Sequence, residues 1–260
     1  MKLVTILMTN DEEDIIRDCV EDRMKNFDIM AIVDSSHDRT SQLLQDELIP
    51  KYKDRILYLY DDTPLTIQYF REKTFAMLRD KIDPYNDWIW QLDTDIFFNG
   101  NKQDMIDLLF QAESEDANAI ICRIAQFYCT FEYADTMTHW RDFMYYSMNW
   151  QSKIIYKGIN NLSFRNADQE TPSVMNEKNA SVRPVVRHYQ YRSPHQIDKK
   201  VTRAYKVRSY SHIISNNWND FLIDKEFLKQ WNGKDFNQPG HSHSWRSLVS
   251  LTKEKHNITI

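Results

Sequence analysis

The segment Trp88-Ile89-Trp90-Gln91-Leu92-Asp93-Thr94-Asp95 ends an apolar run on two carboxylates spaced two residues apart. In extended backbone, residues i and i+2 point to the same side, and a turn at a strand end likewise lets two such carboxylates approach one hard cation. Mg²⁺ or Mn²⁺ takes oxygen ligands of this kind and commonly bridges one or two carboxylates to phosphate oxygens. An Asp-x-Asp alone is an ordinary solvated turn. Here it follows a buried-strand pattern and precedes a second apolar triplet, Ile96-Phe97-Phe98, which suits a site that handles a diphosphate.

Other residues could serve the same chemistry. Asp34 closes the apolar run from Ile29 to Val33 and is followed by Ser35-Ser36-His37-Asp38-Arg39-Thr40. A carboxylate there can accept hydrogen bonds from a base edge or ribose hydroxyls, or it can cap the helix that follows. Arg183 to Arg208 carries eight Lys and Arg side chains against the single acid Asp198, with Tyr189, Tyr191 and Tyr205 interleaved. Arg binds phosphate bidentately and Lys acts as a point charge. Ser193-Pro194 reads as a helix start, whose N-terminus adds partial positive charge for an anion. A solvated basic helix face has the same composition. His188 lies in this block, and His241-Ser242-His243 resembles a metal pair that no other ligand is spaced to join.

The elements that position these residues alternate through the first half. Leu3 to Met8 reads as a buried strand, and Asn10 as the cap of a helix with Glu13 as its capping-box partner. Apolar residues then recur at helical spacing from Ile15 to Met24. Strands are expected at Ile29–Val33, Arg55–Tyr60 and Asp87–Leu92, with helices at Thr40–Leu48 and Thr66–Lys81. Such alternation predicts a mostly parallel sheet covered by helices on both faces, with ligands at the carboxyl ends of the strands. Thr9, Asn10, Asp34, Asp93 and Asp95 all fall at such ends. The second half is less regular. Helices are expected at Asp104–Gln111 and Trp140–Asn149, strands at Ala119–Ile124, Lys153–Lys157 and Val182–Tyr189, and a long polar loop at Asn160–Lys178.

Bulk numbers bound the answer. The 260 residues suit one domain, taken as a nucleotide-binding half at 1–100 and a less regular α+β half at 101–260. Hydrophobic content of 42% and charged content of 27% exclude a disordered chain, and the net charge of −5 argues against a protein that coats nucleic acid. Cys19, Cys122 and Cys129 form no C-x-x-C pair and read as reduced, packed thiols, which fits a cytoplasmic location. No apolar run reaches the length of a membrane span, and Met1 to Met8 reads as a strand and not a signal peptide.

Four segments together resemble the nucleotide-sugar-dependent glycosyltransferases of the GT-A fold, and specifically glycosyltransferase family 2. Thr5 to Asp14 is similar to the family's opening strand and Asn-Glu loop, and Ile32 to Thr40 to its second strand and turn. Asp87 to Asp95 looks like its metal motif, and His188 to Gln196 like a C-terminal His-Tyr-x-Tyr-Arg-Ser-x-x-Gln block of one branch. The resemblance implies that Thr9, Asn10, Asp34, Arg71 and Asp93 hold the nucleotide. It further implies that Asp93, Asp95 and His188 hold Mn²⁺ or Mg²⁺, and that Arg192, Lys199 and Arg203 meet the diphosphate. The implied activity is a hexosyl or pentosyl transfer with inversion, in which a carboxylate base deprotonates the acceptor hydroxyl.

The family's base loop has no clear match. Asp168 and Glu170 fit by position, with Glu132 and Asp135 as alternatives. The tryptophan-bearing element and membrane spans of processive synthases are absent from the sequence. The expected acceptor is a glycan or lipid-linked glycan; a hydroxylated base in DNA is an alternative. A metal-dependent nucleotidyltransferase should show a Gly- and Lys-rich phosphate loop near the N-terminus, and Met1 to Asp14 has none. An inactive nucleotide- or glycan-binding module is the remaining alternative.

Overall fold

Leu3–Thr9 (β1), Ile29–Asp34 (β2) and Trp88–Gln91 (β4) are buried almost throughout, as strands covered on both faces must be. The computed structural model describes residues 1–63, 67–163, 171–194, 196–197, 218–234, 236 and 245–257. Contacts divide the chain into two units, Met1–Cys122 with Ser152–Pro184 and Arg123–Gln151 with Val185–Ile260. The division falls within two long strands, Ala119–Tyr128 (β6) and Tyr145–Lys157 (β7).

In the first unit the strand order is β3-β2-β1-β4-β7, with β3 at Ile56–Tyr60. The first four are parallel and β7 runs antiparallel to β4. This is the mostly parallel, helix-flanked α/β sheet that the alternating pattern predicts. Helix α4 (Ile67–Leu78) lays Phe75 and Leu78 on Val4, Ile6, Ala31 and Ile89. The opposite face carries Thr5, Leu7 and Thr9 in register with Met30, Ile32 and Asp34. Phe27, just past α1 (Ile16–Asn26), meets Trp90 edge-on there at 5.6 Å. The segment after β2 is α2 (Thr40–Leu43), a π turn at Leu44–Leu48 and α3 (Ile49–Tyr52), with Pro50 in the first turn of α3. Proline has no N–H to continue an α ladder, and the wider π turn sits just before it.

Two expected elements are corrected. Asn10 does not cap α1: the helix starts at Ile16 behind Ile15, which makes no side-chain cap bond. Asn10 Nδ2 instead donates to the Ser35 carbonyl at 2.6 Å. Trp140–Asn149 is not one helix: a single 3₁₀ turn covers Trp140–Asp142 and β7 begins at Tyr145. Paired Tyr145 and Tyr146 favour a pleated strand, and β11 (Lys229–Gln230) supplies an antiparallel partner for them.

In the second unit β10 (Val185–Tyr191) pairs in parallel with the Arg123–Tyr128 part of β6. Phe127 stacks on Tyr189 at 4.9 Å. Leu248, from the helix α7 (Trp245–His256), joins a core with Tyr128, Tyr191, Phe221 and Ile223. The same helix is held by charge. Asp224 accepts from Lys255 Nζ at 2.8 Å and meets His256 Nε2 at 2.7 Å, and its other oxygen accepts from Glu226 N at 2.9 Å. Burial pushes the Asp224 carboxyl up, but Lys255, the Glu226 N–H and His256 outweigh it and hold the group at about 2.

Gly158 closes β7 with φ +73°, and an added Cβ would lie 2.7 Å from the Tyr85 carbonyl oxygen. Gly158→Ala should therefore lose more than about 1 kcal/mol, read from urea unfolding midpoints. Acid should act on the second unit. A folded value below the ordinary 3.8 gives stability that is complete above that pH and lost as pH falls through about 2. Asp224→Asn should flatten that part of the stability–pH curve measured by circular dichroism.

Candidate active site

Asp93 and Asp95 lie in a tight turn that follows β4. Ile96 N donates to the Asp93 carbonyl at 3.0 Å, closing a β-turn over Asp93-Thr94-Asp95-Ile96 before β5 (Ile96–Phe98). The turn is tied on two sides. Thr94 Oγ1 donates to the Met8 carbonyl at 3.3 Å, and Arg23 Nη2 donates to the Asp93 carbonyl at 2.6 Å. The Asp93 side chain is 50% exposed, whereas Asp95 is buried at 5%. The pair thus offers hard oxygen donors, one of them open to a ligand. Among the described residues no three His, Cys, Asp or Glu side chains gather as a metal cage. Two carboxylates completed by diphosphate oxygens and water form a common Mg²⁺ arrangement, so the donor set fits such an ion.

Arg71 stands beside this turn. It lies on the buried stripe of α4 with Phe70, Thr74 and Phe75, and its Nη2 is 3.7 Å from Asp93 Oδ1. Its Nε and Nη1 are buried and have no hydrogen-bond partner among the described residues. A buried guanidinium with two unmet donors is costly, and an oxyanion would satisfy both.

The ends of β1 and β2 are laced together. Thr9 pairs in register with Asp34, and Asp34 with Tyr60. Ser35 N donates to the Thr9 carbonyl at 3.0 Å, while Asn10 Nδ2 donates to the Ser35 carbonyl and hydroxyl. Asp11, at φ 56°, takes the His37 and Asp38 N–H groups on one carboxylate oxygen. Thr9 Oγ1 is buried without a hydrogen-bond partner among the described residues. Asp34 is fully buried and already engaged: Oδ1 accepts from Ser36 N at 2.9 Å, and Oδ2 from Ser41 Oγ at 2.6 Å and Tyr58 OH at 2.8 Å. Burial, together with the hydrogen bond to Asp34, pushes the Tyr58 hydroxyl well above its ordinary 10.0.

The remaining candidates belong to the second unit or fall outside the described residues. His188 is buried on β10, and its carbonyl accepts from Gln126 Nε2 at 3.2 Å. Arg192 is buried, with Nη1 on the Tyr189 carbonyl at 3.4 Å. Ser193 caps the turn that follows, its Oγ accepting from Gln196 N at 3.2 Å. Glu132 and Asp135 lie on the short helix α6 (Phe131–Asp135); Glu132 is ion-paired to Lys225 at 2.7 Å, and Asp135 is exposed. Asp168, Glu170, Lys199, Arg203, His241 and His243 lie outside the described residues. The three cysteines are buried free thiols, with Cys19 and Cys129 pushed up to about 12 by burial.

Sequence reasoning missed Arg23. The available signal was its place in the buried stripe Ile16, Cys19, Val20, Arg23, Met24 of α1.

No protein-family model matches the chain, and no curated protein matches its sequence. Among solved structures it is similar to S. aureus TarS in complex with UDP, at 16% identity and a TM-score of 0.37, over 48% of this chain and only 36% of that one. A second S. aureus TarS structure aligns at 12% identity and a TM-score of 0.46, over 85% of this chain and 71% of that one. The apo form of mouse xyloside xylosyltransferase 1 aligns at 13% identity and 0.26, over 47% and 53%. At scores this low the likenesses carry no assignment, which rests below on the chain's own residues.

Asp34→Asn tests the inward-facing carboxylate. It removes the negative acceptor of Tyr58 and Ser41, so unfolding free energy should fall by roughly 1–3 kcal/mol. The Tyr58 ionisation should move down toward its ordinary range, read by absorbance at alkaline pH. An unmoved Tyr58 titration would show that Asp34 does not hold that hydroxyl.

Proposed function

We propose that this chain is a nucleotide-sugar-dependent glycosyltransferase that moves one hexosyl or pentosyl group from a nucleoside diphosphate sugar to an acceptor hydroxyl. The observation that carries this reading is Arg71, whose two unmet buried donors lie beside the Asp93-Thr94-Asp95 turn at the carboxyl edge of a parallel sheet. That edge is where ligands of such sheets bind. A guanidinium with unmet donors beside two carboxylates suits a diphosphate whose charge a divalent ion bridges to those carboxylates.

Asp93 and Asp95 would hold Mn²⁺ or Mg²⁺, which offsets diphosphate charge when bound. Arg71 would donate to a diphosphate oxygen through Nε and Nη1. Thr9 Oγ1 and the loop fixed by Asn10 form the floor for the nucleoside, with Asp34 setting that floor from within.

The transfer itself is a direct displacement with inversion. The acceptor oxygen bonds to the anomeric carbon as the carbon–diphosphate bond breaks, the diphosphate leaves with the electron pair, and the hydroxyl proton passes to a carboxylate. Asp168 and Glu170 are the first candidates for that base. Glu132 is a weaker one, because the Lys225 ion pair ties up its carboxylate. The acceptor in this reading is a glycan or lipid-linked glycan.

UDP, the ligand of the similar TarS structure, is the first nucleotide to test. With Mn²⁺ it should raise the melting temperature of the wild-type chain. Asp95→Ala should abolish the Mn²⁺-dependent part of that rise while leaving the fold intact. Arg71→Met should weaken nucleoside diphosphate binding by about ten- to a hundredfold, the equivalent of one lost charged hydrogen bond. Stabilisation by other nucleoside diphosphates and not UDP would move the donor base; none by any would remove the reading. Duplex DNA bearing hydroxylated bases, offered as a competing acceptor, should take no sugar.

A further inference from the structure

Arg23 is a charged side chain, 2% exposed, that makes no ion pair among the described residues at salt-bridge distance. Its Nη2 is spent on backbone: the Asp93 carbonyl at 2.6 Å and, more weakly, the Ile96 carbonyl at 3.5 Å. Those carbonyls belong to the first and last residues of the β-turn that presents Asp93 and Asp95. Nη1 is buried without a hydrogen-bond partner among the described residues. Burying a guanidinium costs several kcal/mol unless something offsets it, and two carbonyl contacts do not complete its five donors.

We infer that Arg23 is a positioning residue for the Asp93/Asp95 pair: it locks the turn from α1 and supplies the fixed positive charge that lets two carboxylates stand two residues apart. This rests on the reading of the turn as the cation and diphosphate site. The physical case is specific. Two carboxylates serve one cation only if the turn that carries them keeps one conformation. Thr94 anchors the turn to β1 by one neutral bond at 3.3 Å, longer and weaker than the Arg23 bond. The Arg23 bond is short and charge-assisted, so it dominates. Groups behind a metal ligand typically change metal affinity by about ten- to a hundredfold when removed.

Two measurements on Arg23→Met and Arg23→Lys test this. The first is amide hydrogen exchange in the peptide spanning residues 92–98, which needs no metal. The Met variant should lose protection there while the β1 and β2 peptides keep theirs, and the Lys variant, which keeps the charge and one donor, should recover part of it. The second is free Mn²⁺ counted by electron paramagnetic resonance. Its dissociation constant should rise about tenfold in the Met variant and less in the Lys variant, with Asp95→Ala as the reference for complete loss. Unchanged exchange at 92–98 in a folded Met variant overturns the proposal whatever Mn²⁺ does, as does equal loss of protection across all strands in both variants. A wild-type chain that binds no Mn²⁺ overturns the metal reading instead, and exchange alone then decides the role of Arg23.

Discussion

A four-residue turn that carries two carboxylates is closed by the Ile96 N bond to the Asp93 carbonyl, and a fold that keeps it in one conformation must hold it from outside. In the first unit that is done by a pair of arginines that the hydrophobic core has admitted. Arg23 grips the turn's carbonyls from α1, and Arg71 faces the Asp93 side chain from α4. One helix packs on each face of the sheet, so the turn is braced from both layers. The parallel strands serve the same constraint: β1 gives Thr94 its second anchor through the Met8 carbonyl, and β4 sets where the turn begins. Core packing and site geometry are therefore one problem in this unit.

Much of that frame was legible in the sequence because parallel strands buried on both faces read as continuous apolar runs. The runs at Leu3, Ile29, Ile56 and Trp88 all became strands. Legibility failed where the deciding partner was distant in sequence. Asn10 followed by Glu13 has the local form of a capping box, but Ser35 competes for the Asn10 amide across a neighbouring strand end and wins. Tyr145 and Tyr146 sit in a segment with helix-compatible spacing, yet pairing with Lys229 and Gln230 makes them strand. Local propensity cannot see a partner eighty residues away.

Arg23 was hidden for a different reason, and Arg71 came into view only through the family resemblance. A basic residue in an amphipathic pattern is ordinarily assigned to the wet face, since Arg and Lys are rarely buried. In both helices the residue lies inside the apolar stripe: Arg23 between Val20 and Met24, Arg71 between Phe70 and Thr74. Position in the period, and not residue type, was the usable signal. The site's carboxylates were easier to find, because a strand pattern that stops on an acid needs no knowledge of its neighbours.

Asp34 and Asp93 show how similar strand-end acids divide the work. Asp34 faces inward and has both oxygens bonded to Ser36, Ser41 and Tyr58, so its burial is balanced and it gains little from a further donor. Asp93 faces outward, half exposed, with only a loose ion pair at 3.7 Å. Unmet demand at this edge belongs instead to Thr9 Oγ1 and to two donors of Arg71. Those atoms are covered, so a ligand that satisfies them must first shift side chains at the rim. The free energy released by meeting a buried guanidinium with an oxyanion is what would drive that shift, and a neutral sugar lacking the diphosphate would have no comparable means of opening the site.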